Sequence, residues 1–193
     1  MATVSVDDKF GYINEQGVIV IPINYTKAFD FKEGLAAVEL GGQSGYINKA
    51  GEVVIGFKYD WVDNFKYGLA KVKSLKKMGL INHKGEIIIP CEYDLIGDFK
   101  EDVVMVMKDQ KYGFANKNGK LVVPVEFDYS GNFWLPLEFK NGFTVAEKNG
   151  KQGLIDKTGK YVTGKDFDRI EPFNEGLAPV LKKDKWGYID EKL

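Results

Sequence analysis

Few residues in this 193-residue chain could do chemistry. There is one histidine, His83, and one cysteine, Cys91. Aspartates recur at Asp60, Asp94, Asp128 and Asp168, each directly after an aromatic residue. Paired carboxylates can hydrolyse glycosides when one acts as acid and the other as base or nucleophile. Aspartates at one fixed place per recurring segment are instead what a turn demands, because Asp accepts hydrogen bonds from nearby backbone amides. His83 falls at a turn position and reads as a solvated residue. Cys91 has no base placed beside it and reads as a packed thiol rather than a nucleophile. One His and one Cys cannot complete a normal structural zinc site, and a lone Cys forms no intrachain disulfide. No catalytic residue, metal ligand or cofactor is assigned, and the chain is read as a non-enzyme.

The elements that position these residues repeat. The phrases Gly11-Tyr12-Ile13, Gly45-Tyr46-Ile47, Gly79-Leu80-Ile81, Gly113-Phe114-Ala115, Gly153-Leu154-Ile155 and Gly187-Tyr188-Ile189 have leading glycines 34, 34, 34, 40 and 34 residues apart. A fixed period of this size marks a repeat architecture. Six residues after the leading glycine comes a second one (Gly17, Gly51, Gly85, Gly119, Gly159), placed for a tight turn. A β-branched run follows, such as Val18-Ile19-Val20-Ile21 or Ile87-Ile88-Ile89, and Pro22, Pro90 and Pro124 close three of these runs. Then come an aromatic residue, a phenylalanine six positions later, and an apolar stretch such as Leu35-Ala36-Ala37-Val38. Each copy therefore reads as three short strands, with units starting near 2, 35, 69, 103, 143 and 177 in a single domain spanning 1–193. A connection of about a dozen residues, with room for a turn of 3₁₀ helix, leads to the next copy. One meander cannot bury its apolar face alone, so neighbouring copies must stack.

Composition sets the outer bounds. The 27 basic and 28 acidic residues give a net charge of -1, which offers no global attraction for nucleic acid. Lysines cluster at Lys71, Lys73, Lys76 and Lys77 and at Lys182, Lys183 and Lys185, as expected of solvated hairpin edges. No apolar run approaches the ~20 residues of a membrane span, and Met1–Asp8 has no signal-like character, so a cytoplasmic location is expected.

The residues Lys185-Trp186-Gly187-Tyr188-Ile189-Asp190, with Tyr93-Asp94 and Glu175-Gly176-Leu177-Ala178, resemble the WG-repeat family of bacterial β-repeat proteins. The resemblance covers the whole chain and implies an all-β interaction scaffold without catalytic residues. It leaves an open or partly closed solenoid-like stack and a propeller-like ring as alternatives, the former favoured. The naming tryptophan is replaced elsewhere by Phe10, Ser44, Met78, Tyr112 and Gln152.

Function is then sought where copies differ. The six extra residues of the fourth interval are placed by aligning Phe133 with Phe99, which locates them within residues 134–141. Trp134, Leu135, Leu137 and Phe139 of that segment, with Trp61 as a second departure, are the candidate partner-binding residues. They support a protein-interaction scaffold, acting as adaptor or stoichiometric inhibitor. The alternative is a carbohydrate or cell-envelope module that uses exposed aromatics as sugar platforms. Strand edges left at both ends also allow pairing with a second copy.

Overall fold

In the computed structural model, which describes residues 1–129 and 137–192, the predicted strands form at the predicted cadence except the third strand of the fifth copy, where only isolated bridges at Tyr161 and Phe167 stand in for it, and no helix is present among the described residues. The chain divides into two compact units, Met1–Tyr93 and Asp94–Leu193.

In the first unit, Ala2–Val6, Lys9–Ile13 and Ile19–Tyr25 form a three-stranded antiparallel sheet in chain order. Two four-stranded sheets follow. One runs Lys27–Ala28, Leu35–Leu40, Gln43–Asn48, Val53–Tyr59, and the other Trp61–Val62, Leu69–Ser74, Lys77–Asn82, Ile87–Tyr93. The second unit repeats the pattern with Leu95–Lys100, Val103–Lys108, Lys111–Asn116 and Leu121–Asp128. Phe143–Lys148 then pairs with Lys151–Asp156, and Arg169–Ile170, Leu177–Lys182 and Lys185–Asp190 make the last sheet. None of these sheets closes into a barrel.

The connection between copies differs from the expected 3₁₀ turn. It contains a short strand that joins the edge of the next sheet, as when Trp61 and Val62 pair with Lys73 and Val72. A two-residue hairpin then reverses the chain. Lys32 and Leu35 exchange backbone hydrogen bonds of 2.8 and 3.0 Å across Glu33 and Gly34, both at positive φ. Such primed turns match the right-handed twist of the flanking strands, which a 3₁₀ turn would not.

The strand Leu35–Leu40 is apolar on both faces because a neighbouring copy covers each side. Ala36 and Val38 pack with Tyr12, Ile21 and Tyr25 of the preceding copy. Leu35 and Ala37 share a cluster with Tyr46, Phe65 and Val72. The equivalent cluster in the second unit gathers Val103, Met105, Phe114, Val123 and Ala146.

The motif glycine lies where the third strand crosses the middle one. A Cβ on Gly45 would sit 2.5 Å from the Ile55 carbonyl oxygen, and one on Gly113 2.5 Å from that of Pro124. The ladder shifts register at this point, between Ser44 and Tyr46 and between Tyr112 and Phe114. Only glycine allows so close a backbone approach.

Candidate functional site

The recurring polar residues all hold the repeat together. Asp94, Asp128 and Asp168 accept the backbone N–H of Asp109, Asn149 and Lys183 at 2.8, 2.7 and 2.7 Å. Each of these carboxylates thus caps the turn between the first and middle strands that follow it. Lys111 beside Asp128 and Lys151 beside Asp168 hold those two carboxyls below the usual range. A second set comes from the hairpin acids. Glu33 accepts the N–H groups of Tyr67 and Gly68 at 2.8 and 2.9 Å, which ties one hairpin to the same hairpin of the next copy. Glu101 does the same for Gly142 at 3.0 Å. Lys157 beside it, together with that amide bond, keeps the Glu101 carboxyl below its ordinary value.

A third set was not recognised from the sequence. Asn14, Asn48, Asn82 and Asn116 accept two backbone N–H bonds each, as Asn48 does from Ala50 and Glu52 at 2.9 and 3.0 Å. Asp156 does likewise. The signal was present as Asn or Asp three residues after every motif glycine.

His83 is not the freely solvated turn residue expected. Its ring stacks on Phe65 at 4.4 Å and 20°. Its Nε2 lies 3.2 Å from Glu33 Oε2, close enough to pair but not aligned as a hydrogen bond. Cys91 is half-buried against the core of the second and third copies, and burial pushes its thiol up. Among the described residues no group of three or more His, Cys, Asp and Glu side chains is placed to hold a metal ion.

The predicted partner-binding residues separate. Phe139 is only 3% exposed and meets Phe114 edge-on at 4.7 Å. It is the fourth copy's own repeat phenylalanine, since Lys140 bridges Phe143 just as Lys32 bridges Leu35 and Lys66 bridges Leu69. The alignment on Phe133 is therefore corrected. The six extra residues precede Phe139, and Phe139 is an interior residue rather than a partner contact. Leu137 is half-buried against the same core. Trp134 and Leu135 lie outside the described residues.

Trp61 remains on the surface, 41% exposed, in the first unit. Its neighbourhood contains a residue the sequence reading passed over. The turns joining first and middle strands have both residues at positive φ: Asp7-Asp8, Gly41-Gly42, Leu75-Lys76, Asp109-Gln110, Asn149-Gly150 and Lys183-Asp184. Glycine, asparagine and aspartate enter this conformation readily, whereas leucine costs ~1–2 kcal/mol there. Leu75 sits at φ 50° and is 88% exposed, so neither backbone preference nor burial explains it. It lies at the same end of the sheet as Trp61. Asp60 donates its N–H to the Lys73 carbonyl at 2.8 Å and accepts the Lys76 N–H at 3.3 Å.

A family described as WG containing repeat matches residues 10–43, 45–77, 78–112, 112–133 and 153–186. The chain belongs to the WG-repeat family. Solved structures also resemble the WG-repeat chain at low identity, among them the following two. One is the AfRom2 CNH domain, with TM-score 0.40, 10% identity, and coverage of 98% of this chain and 80% of that one. The other is a protein of unknown function from Bacteroides caccae, with TM-score 0.29, 14% identity, and coverage of 97% and 88%. No curated protein matches this WG-repeat chain.

Proposed function

We propose that this protein is a non-enzymatic interaction scaffold, an adaptor or stoichiometric inhibitor, that engages a partner protein through the Trp61–Leu75 end of its third sheet. The observation that carries the reading is Leu75, an exposed leucine held in a left-handed turn. A residue that is unfavourable for the fold in two ways points to a use outside the fold. Trp61, at the same end of the sheet, is one of the residue types enriched at binding hot spots. Lys73 and Lys76 flank the pair, which suits a partner surface with an apolar centre and an acidic rim. The repeated Asp, Asn and Glu side chains are engaged with backbone amides, which favours a scaffolding role for them over catalysis.

The test is quantitative affinity capture from the native cell with wild type, Trp61→Ala and Leu75→Asn, each checked for folding by thermal denaturation. A protein enriched by wild type and lost with both variants supports the site. Equal enrichment by all three contradicts it.

A further inference from the structure

The first two copies fill a particular space with their own tyrosine, and the fifth copy leaves it open. Tyr12 packs against Phe31 with ring centroids 4.9 Å apart and planes tilted by 56°, and donates its hydroxyl to the Phe29 carbonyl at 2.8 Å. Tyr46 packs against Phe65 in the same way, at 4.8 Å and 54°, and donates to the Asp63 carbonyl at 2.7 Å. The fifth copy has Leu154 at this place, and the residues at the same offsets are Glu171 and Phe173. The backbone there matches the earlier copies. Glu171 donates its N–H to the Pro179 carbonyl at 2.9 Å, as Phe29 does to Ala37 at 3.0 Å and Asp63 to Lys71 at 2.8 Å.

Leucine is shorter than tyrosine and carries no hydroxyl. Phe143 and Val145 are larger than Leu35 and Ala37 at the equivalent positions, yet a cavity of about 200 Å³ remains, its apolar part lined by Leu154, Phe143, Val145 and Phe173 and its polar part by Glu171 together with Glu138, Lys140, Asn141 and Glu191. A cavity of ~150 Å³ with aliphatic and aromatic walls is enough to admit benzene. Thr144 also borders it, but strand alternation sends its side chain with Ala146 toward the fourth copy, away from Leu154.

We infer that this cavity is a binding site for a p-hydroxyphenyl group. The ring would pack tilted against Phe173, and the hydroxyl would donate to the Glu171 carbonyl, reproducing from outside the chain what Tyr12 and Tyr46 supply from within. The group can come from a free small phenol or from a tyrosine side chain of a polypeptide. The site does not depend on the Trp61–Leu75 surface, and either can fail without the other.

The experiment titrates the intact ¹⁵N-labelled protein with p-cresol, toluene and N-acetyl-tyrosinamide, following the amides of Leu154 and Phe173. p-Cresol is expected to bind about fivefold more tightly than toluene, the worth of one neutral hydrogen bond. Leu154→Tyr, which restores the earlier copies' filling, should abolish p-cresol binding and raise the melting temperature. If Leu154→Tyr does not fold, Phe173→Leu serves instead and should weaken p-cresol binding by removal of the ring face. Binding of N-acetyl-tyrosinamide assigns the source to polypeptide tyrosine, and binding of p-cresol alone assigns it to a free phenol. Absence of p-cresol binding, equal affinity for toluene, or p-cresol binding unchanged in the filled or ring-deleted variant overturns the inference.

Discussion

Thr144 shows how one atom can be at odds with its surroundings. It is 4% exposed, and its Oγ1 has no hydrogen-bond partner. The same place holds Ala36, Ala70, Val104 and Ala178 in other copies, all apolar. A buried unpaired hydroxyl costs ~1–3 kcal/mol, so Thr144→Val is expected to stabilise the protein by about 1 kcal/mol, read from the denaturant midpoint at unchanged slope. Glu101 gives a prediction with a pH sign. Lys157 and the Gly142 amide lower its carboxyl in the folded state, so its contribution is full above the unfolded value of roughly 4.3 and is lost as pH falls through the lowered folded value. Glu101→Gln should therefore destabilise the protein at pH 7 and lose that effect progressively as pH falls below the ordinary carboxylate range, checked by urea unfolding over a series of decreasing pH. A difference that stays constant with pH would contradict the ion-paired role. At this scale the sequence was legible in part. The aspartates at Asp94, Asp128 and Asp168 were read as turn caps, and they are. The turn each one caps lies 15 or 21 residues downstream, which no local pattern discloses.

At the scale of elements, the glycine that begins each repeat phrase has a defined task. It lets the third strand cross the middle strand backbone to backbone. Gly45→Ala would place a Cβ 2.5 Å from the Ile55 carbonyl oxygen, whereas a Cβ on Gly187 would meet nothing within 4 Å. Gly45→Ala should cost several kcal/mol, at or beyond the ~1–3 kcal/mol usual for overpacking, and Gly187→Ala little, by thermal unfolding of the two variants side by side. The Leu75-Lys76 turn is expected to respond in the opposite sense. Leu75→Asn should raise stability by about 1 kcal/mol by relieving left-handed strain, and a fall in melting temperature would refute the strained reading. The strands and their tight turns could be read from glycine spacing and β-branched runs. The short fourth strand could not, because a two-residue segment such as Trp61–Val62 has too few side chains to show a period of two. The misplaced insertion has a similar origin. Phe133 and Phe139 both follow an aromatic residue by plausible distances, and only the Lys140–Phe143 hairpin decides between them.

For the molecule as a whole, an all-β repeat architecture explains most of what is regular in the chain, and so directs attention to what is not. Tyrosine, leucine or phenylalanine at the middle-strand position, aspartate or asparagine at the turns, and glycine at the crossings serve neighbouring copies. Leu75, Trp61 and the cavity beside Leu154 do not, and they carry the functional proposals. Trp61 was legible as a departure from the repeat, whereas Leu75 and the cavity were hidden in the sequence for a common reason. Exposure of Leu75, burial of Phe139 and the space left by Leu154 depend on which neighbour covers which face, and composition does not record that. All of this stands on the 34-residue cadence being a series of small antiparallel sheets, the first four with a middle strand bonded on both sides. Native-state hydrogen exchange measures that directly. The slowest-exchanging amides should recur in the middle strands, around Tyr12, Tyr46, Leu80 and Phe114, at intervals of 34 residues. Protection that ignores this interval, or that is continuous along stretches spanning the turns at Gly17, Gly51 and Gly85, would contradict it.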